Sequence, residues 1–299
     1  MYAIETNSLT KFYGKSRGII DLNLRVKEGE IFGFIGPNGA GKSTAIRLFL
    51  SLLFPSKGSG KIFEYDIVRQ STKIKQIVGF VPSEVHYYDN MKVGELLKYS
   101  SRFYKVSLNS YFHSLIETLD LDLNRKISDL SMGNRKKLAV IQSLIHKPKL
   151  LILDEPTSGL DPLMQNHFFD IIREANENGA TIFFSSHILS EVEKFCHRVA
   201  IIKEGRIVSE DDISSIKEKA VSRVSLILKD NKLKINLKTP GIISSEKINN
   251  GNSFLFQGCI TDLLKELSEL PIEKINITEP SLEEIFIHFY RDENMEGKK

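Results

Sequence analysis

The chain has 299 residues, 41% apolar and 26% charged, a formal net charge of +3 and two cysteines. This is the composition of a soluble globular protein, long enough for one large domain with a smaller one, and its charge is too slight to argue for a nucleic-acid partner. Cys196 and Cys259 belong to no CxxC pair, which argues against a disulfide framework and a zinc site and suits a reducing cytoplasm.

The first residues, MYAIETNSLT, lack the charged-then-apolar layout of a signal peptide. Ile20, Leu22, Leu24 and Val26 alternate with polar residues, the period of a half-buried strand. EIFGFI (30–35) is a continuous apolar run, as in a strand covered on both faces. It leads into GPNGAGKST and then AIRLFLSLL, a helical pattern expected to stop at Pro55. The apolar stretch LFLSLLF (48–54) is far short of the roughly 20 residues that span a bilayer, so work at a membrane would go through a partner. GFVPSEVHYYDN (79–90) reads as a strand end and a loop. From about 85 to 145 the periodicity is helical, which predicts a helical insertion.

LLIL (150–153) and TIFFSS (181–186) are further buried-strand runs, and between them Met164, Phe168, Ile171, Ile172 and Ala175 make a helical stripe. Strands alternating with helices predict a parallel α/β sheet. VAIIKEGRIV (199–208) reads as a hairpin turning at Glu204-Gly205. The texture changes after about 218. VSLILK, LKINL, SFLFQ and KINIT read as short strands and TDLLKELSEL as a helix. A last helix opens at Pro280 with a capping box of Ser281 and Glu284, and ENMEGKK reads as a frayed tail. Residues 219–299 are thus expected to form a small α+β domain with nothing catalytic in it, behind a larger domain at 1–218.

Gly36 to Ser43 fits GxxxxGK[ST]. The glycines around Asn38, Gly39, Ala40 and Gly41 let backbone N–H groups converge on phosphate oxygens. A helix starting near Lys42 points its positive dipole end at the same anion. Lys42 adds a point charge near the β- and γ-phosphates, Ser43 offers a hydroxyl to Mg²⁺, and Thr44 offers one to a phosphate. In LLILDEPTSGLD, Asp154 ends a buried strand and suits the Mg²⁺ shell, and Glu155 follows where it can polarise an attacking water.

GPNGAGKST, LSMGN (130–134), LILDEPTSGLD (151–161) and SSH (185–187), in that order, resemble the Walker A, signature, Walker B/D-loop and switch-histidine motifs of ABC-type ATPases. The resemblance covers about residues 2–215. It implies a P-loop fold with a parallel core, an antiparallel N-terminal β part and a helical subdomain. It also implies a head-to-tail dimer with ATP and Mg²⁺ at the interface. Ser131 and Gly133 match the signature positions that reach the opposite γ-phosphate. Met132 stands where the family most often has Gly, and Asn134 where it most often has Gln. His187 matches the switch histidine and Asp161 the D-loop aspartate that links the two sites. Tyr13 matches the aromatic that stacks on adenine, with Phe12 as its competitor.

One set of motifs and no cysteine cluster resemble a separate transporter subunit at the cytoplasmic face of the membrane, working with membrane permease subunits as a homodimer or a heterodimer. A regulatory or resistance ATPase without a membrane partner is the alternative. EPSLEEIFIHFY resembles the ending of exporter ATPases of the drug- and peptide-antibiotic-resistance type, where the small domain would pad or regulate the dimer. The family's glutamine at the strand end in GFVPSEVHYYDN (79–90) aligns here with Ser83, followed by Glu84. Ser83 would need a bridging water to reach the metal. Glu84 either meets Mg²⁺ or points at solvent or at the partner.

Overall fold

Two long strands open the chain, β1 (Tyr2–Tyr13) and β2 (Ser16–Lys27), paired antiparallel. Leu22, Leu24 and Val26 face the core as their alternation predicts, but Ile20 does not: Ile19 is the fully buried residue. Asp21 takes a left-handed φ of 49°, and the register shifts between Leu9↔Leu22 and Lys11↔Ile19. This irregularity reverses the inward phase of the strand. The computed structural model describes residues 1–88, 90–218, 221–229, 237, 239–248 and 251–278.

β3 (Ile31–Ile35) is buried throughout and feeds α1 (Lys42–Phe49). The helix stops well short of Pro55. Ser51 turns left-handed at φ 56°, and the amides of Leu52 and Leu53 both return to the carbonyl of Arg47 at 2.8 and 3.3 Å. These bonds satisfy a carbonyl that a longer helix would have used. β4 (Lys57–Ile62) and β5 (Tyr65–Asp66) join the first strands in a sheet of order β2-β1-β4-β5.

α2 (Ser71–Ile77) leads into β6 (Val78–Val81). The helical insertion then follows as α3 (Val93–Phe103), α4 (Ser110–Thr118) and α5 (Met132–Leu144). β7 (Leu150–Asp154), α6 (Pro162–Glu177), β8 (Thr181–Ser186), α7 (Leu189–Phe195), β9 (Arg198–Lys203) and β10 (Arg206–Asp212) complete the larger unit, Met1–Asp211. Glu204 and Gly205, at φ 51° and 80°, make the hairpin turn between the last two strands, as a two-residue turn with two positive φ values requires.

The central sheet runs β10-β9-β3-β8-β7-β6, with β9, β3, β8, β7 and β6 parallel. Such strands are covered on both faces, hence their unbroken apolar runs. Phe183 of β8 is the hub, with ring centroids 6.0 Å from Phe32, 5.3 Å from Phe34 and 5.6 Å from Phe49. Parallel strands also end on one common edge, where α/β proteins bind ligands. The pairs Ile35↔Ser186, Asp154↔Ser185 and Val81↔Leu153 keep the ends of β3, β8, β7 and β6 level.

The second unit, Asp212–Lys299, contains α8 (Ile213–Glu218), β11 (Val221–Leu228), β12 (Ile242–Ile248), β13 (Gly251–Gln257), α9 (Ile260–Ser268) and β14 (Ile272–Thr278). Its sheet has the order β12-β13-β11-β14. Val224, Leu226, Phe254 and Phe256 bury against Leu263 and Leu267 of α9, a small core of its own. β12 has no clear counterpart in the sequence reading. LKINL apart from Leu237, the helix at Pro280, Ser281 and Glu284, the EPSLEEIFIHFY ending and the ENMEGKK tail lie outside the described residues.

Candidate active site

The phosphate-loop residues follow β3 and line a cavity of about 290 Å³ with Asn38, Gly39, Gly41, Lys42, Ser43 and Thr44. Gly41 is the N-cap of α1 at φ 113°, and a Cβ there would stand 2.7 Å from the carbonyl of Gly18. Only glycine meets both conditions, and its conformation leaves the first amides of α1 free for an anion. Arg17 and Gly18 of β2 share this wall, a contribution not visible in the motif itself.

Lys42 is 5% exposed, and its Nζ donates to the carbonyls of Gly36 at 2.7 Å and Pro37 at 3.4 Å. It also lies 3.3 Å from Oε1 of Glu155, which lines the same cavity. Nδ1 of His187, just past β8, lies 3.3 Å from that same oxygen. Cation, carboxylate and imidazole therefore meet at one atom. Glu155 holds a left-handed φ of 47°, and its amide donates to the carbonyl of Ser185 at 3.0 Å. A left-handed non-glycine residue costs on the order of 1 kcal/mol, and here it turns the carboxylate toward the phosphate loop.

Asp154 ends β7 and is 4% exposed. Burial raises its pKa, while hydrogen bonds from the hydroxyls of Ser43 and Ser185 and the charge of Lys42 favour the ionised form. Ser185 donates to its Oδ1 at 3.2 Å. A buried carboxylate beside the Ser43 hydroxyl is a hard-oxygen pair of the kind that Mg²⁺ accepts from protein when its other ligands are phosphate and water.

Tyr13 lies at the end of β1 with its hydroxyl 3.5 Å from Oγ1 of Thr44, beside the phosphate loop. Its neighbour Phe12 is tied instead through its amide to Ser56 at 3.1 Å. Ser131, Met132 and Gly133 are not among the residues lining the cavity. Ser131 is the N-cap of α5, its Oγ accepting from the amide of Asn134 at 3.3 Å. The helix therefore starts at Met132, so the signature residues Met132 and Gly133 form its first turn. Asp161 is the N-cap of α6, accepting from Met164 at 3.0 Å, with Pro162 at the first helical position. Ala40 is buried, and its carbonyl accepts from Gly205 at 2.8 Å.

Ser83 and Glu84 follow β6 and are exposed. The Glu84 side chain is 86% exposed and lies 3.6 Å from Nε2 of His86, on the solvent side of the loop. Ser83 contributes its carbonyl to Lys136 of α5, at 2.9 Å. Lys136 has no motif signal. It stands in RKK, where one lysine looks like the next, yet it is 2% exposed. Burial lowers its pKa to about 8, although Asp154 and Glu155 pull it upward.

Residues 19–158 match the family model described as "ABC transporter". The chain is 32% identical over 294 residues to the bacitracin transport ATP-binding protein BcrA of Bacillus licheniformis, spanning 95% of this chain and 96% of that one. It is 33% identical over 211 residues to the linearmycin resistance ATP-binding protein LnrL of Bacillus subtilis (strain 168), spanning 69% of this chain and 68% of that one. The solved structure of an ATP-binding subunit of an ABC transporter superposes with a TM-score of 0.67 at 26% identity, covering 73% of this chain and 92% of the other.

Proposed function

Since the chain belongs to the ABC transporter family as an ATP-binding and ATP-hydrolysing subunit, we propose that it serves an exporter and that Glu155 is the base of its ATPase reaction, with Lys42 and His187 beside it. The observation that carries this reading is the single carboxylate oxygen held 3.3 Å from both Lys42 Nζ and His187 Nδ1. ATP phosphates occupy the amides of Asn38 to Gly41 and the start of α1, where Lys42 exchanges its carbonyl contacts for phosphate oxygens. Glu155 then takes the proton of the attacking water and His187 orients it. Ser43 and Asp154 would hold Mg²⁺, which would neutralise charge on the phosphates when bound. Tyr13 stacks on the adenine.

Two copies, or this chain and a paralogue, close head to tail. Ser131, Met132 and Gly133 of one subunit then meet the nucleotide of the other, and Asp161 connects the two sites. Closure draws on contacts made only with the triphosphate, so phosphate release lets the subunits part. The loop Pro82–Tyr88 borders a cavity of about 370 Å³ lined by Leu52, Phe80, Val85, Phe103 and Tyr104. An apolar groove of this size suits a helix presented by a membrane permease, which supports a working position for the subunit at the cytoplasmic face of the membrane. Among the described residues no helix is long and apolar enough to cross a membrane. The second unit serves the dimer as an accessory or regulatory domain.

The test has two arms. Glu155→Gln is expected to bind ATP, stop turnover and trap a closed dimer; near-normal hydrolysis removes Glu155 from the role of base. Purification of the native protein in detergent is expected to bring an integral membrane protein with it. Recovery only as a free ATPase favours a regulatory or resistance enzyme without a membrane partner.

A further inference from the structure

We infer that Lys136 is a positioning residue that ties the loop after β6 to the main chain of Glu155, so that a displacement of one reaches the other. The β6–β7 ladder makes its last pair at Val81↔Leu153. Beyond it Pro82 has no N–H to continue the ladder. Lys136 Nζ takes over at that point. It donates to the carbonyls of Pro82 at 2.8 Å, Ser83 at 2.9 Å and Glu155 at 3.2 Å.

An ammonium has three donors, and three main-chain acceptors from two separate loops satisfy them all. Among the described residues no ion pair joins Lys136 to a carboxylate, although the side chain is 2% exposed. Burying such a charge is costly unless it is fully hydrogen-bonded, and an apolar residue would fill the same space without that cost. What the lysine adds is a three-way junction among α5, the loop and Glu155. The same helix grips the loop again farther along. Gln142 accepts from the Tyr87 hydroxyl at 2.8 Å and donates to Ser100 of α3 at 2.9 Å. Of these two grips, Lys136 is the one that also holds Glu155. With the amide of Glu155 on Ser185 and its carbonyl on Lys136, the left-handed residue is held at both ends.

This inference rests on the reading of Glu155 as base, and the experiment separates the two. Backbone amide hydrogen exchange of segments 79–88 and 154–158, together with kcat and KM for ATP, is measured in the full-length wild type, Lys136→Met, Lys136→Arg and Glu155→Gln. Lys136→Met loses all three donors and is expected to exchange faster in both segments. Its kcat is expected to fall roughly tenfold or more while KM stays within about twofold. Lys136→Arg keeps charge and donors and is expected to restore most of both. Unchanged exchange in both segments of folded Lys136→Met overturns the inference, as does an arginine variant as impaired as the methionine one. If Lys136→Met does not fold, Lys136→Gln is read in its place. Loss of the fold in both, with Lys136→Arg folded, also overturns it, because the lysine is then a core element rather than a link. Without nucleotide, Glu155→Gln leaves the carbonyl in place and is expected to exchange like wild type. Turnover in that variant would refute the base while leaving the Lys136 result standing.

Discussion

The side chain of Met132 closes over Gly159. A Cβ built on Gly159 would stand 2.5 Å from Cε of Met132, and Gly159 itself has φ 80°. The residue at which the signature departs from the commonest family pattern thus rests on the loop that carries Asp161, within one subunit. Met132 remains 68% exposed, so it covers that loop without being enclosed by it.

Gly159→Ala meets one penalty, a left-handed alanine of about 1–2 kcal/mol, since the exposed end of Met132 can swing clear of the new methyl group. The variant is expected to lose that much stability and to hydrolyse ATP more slowly. Met132→Ala in the same chain should leave that loss in place, because the cost lies in the backbone of residue 159 and not in the thioether end. Denaturant unfolding and steady-state ATPase rates check both, and a silent Gly159→Ala would show that the loop simply moves aside.

His187→Ala removes the imidazole 3.3 Å from Glu155 but leaves Lys42 and the phosphate loop in place. Turnover is expected to fall roughly 100-fold with ATP affinity little changed. Equilibrium nucleotide binding beside single-turnover hydrolysis separates these effects. A variant that loses binding instead would mean that His187 holds substrate rather than water.

Phe183→Ala empties the centre of the aromatic cluster formed with Phe32, Phe34 and Phe49. The expected loss is about 3–5 kcal/mol of unfolding free energy, the range for a large buried side chain whose cavity cannot collapse. Because β8 carries Ser185 and leads directly to His187, activity should fall at temperatures where the protein is still folded. Urea titration and thermal inactivation measure the two effects.

His146 stacks on Tyr104 with centroids 3.9 Å apart, and burial lowers its pKa from 6.5 to about 4. In this window the unfolded chain binds the proton and the folded one does not, so stability falls as pH drops from about 6.5 toward 4 and the loss levels off below that. Partial solvent access trims the contribution to on the order of 1–2 kcal/mol. His146→Phe keeps a stacked ring without a titrating group and should show a shallower decline in melting temperature over this range. Parallel curves for the two proteins would remove His146 as the cause.

The chemistry was legible wherever contiguous residues carry it. GPNGAGKS, Asp154-Glu155 and Ser185-Ser186-His187 each sit at the end of an apolar run. A parallel sheet brings such ends to one edge, so the motifs implied their own meeting place. The strands β3, β7 and β8 were likewise readable, because strands covered on both faces must be apolar throughout.

Local irregularities were not legible. The left-handed turns at Asp21 and Ser51 that reverse a strand's phase and end α1 early involve residues that would also fit a regular element. Lys136 was hidden for a different reason. A lysine in a polar helical stretch is a solvated lysine until the packing of α5 places its Nζ among carbonyls 53 and 54 residues earlier and 19 residues later in the chain. The sequence by itself determined where the glycine-rich loop turns from β3 into α1 and lines its cavity, because backbone geometry within one short segment suffices for that. Which residue joins the neighbouring loop to Glu155 was decided only by the tertiary structure, because burial and three long-range acceptors turn an ordinary cation into a fixed junction.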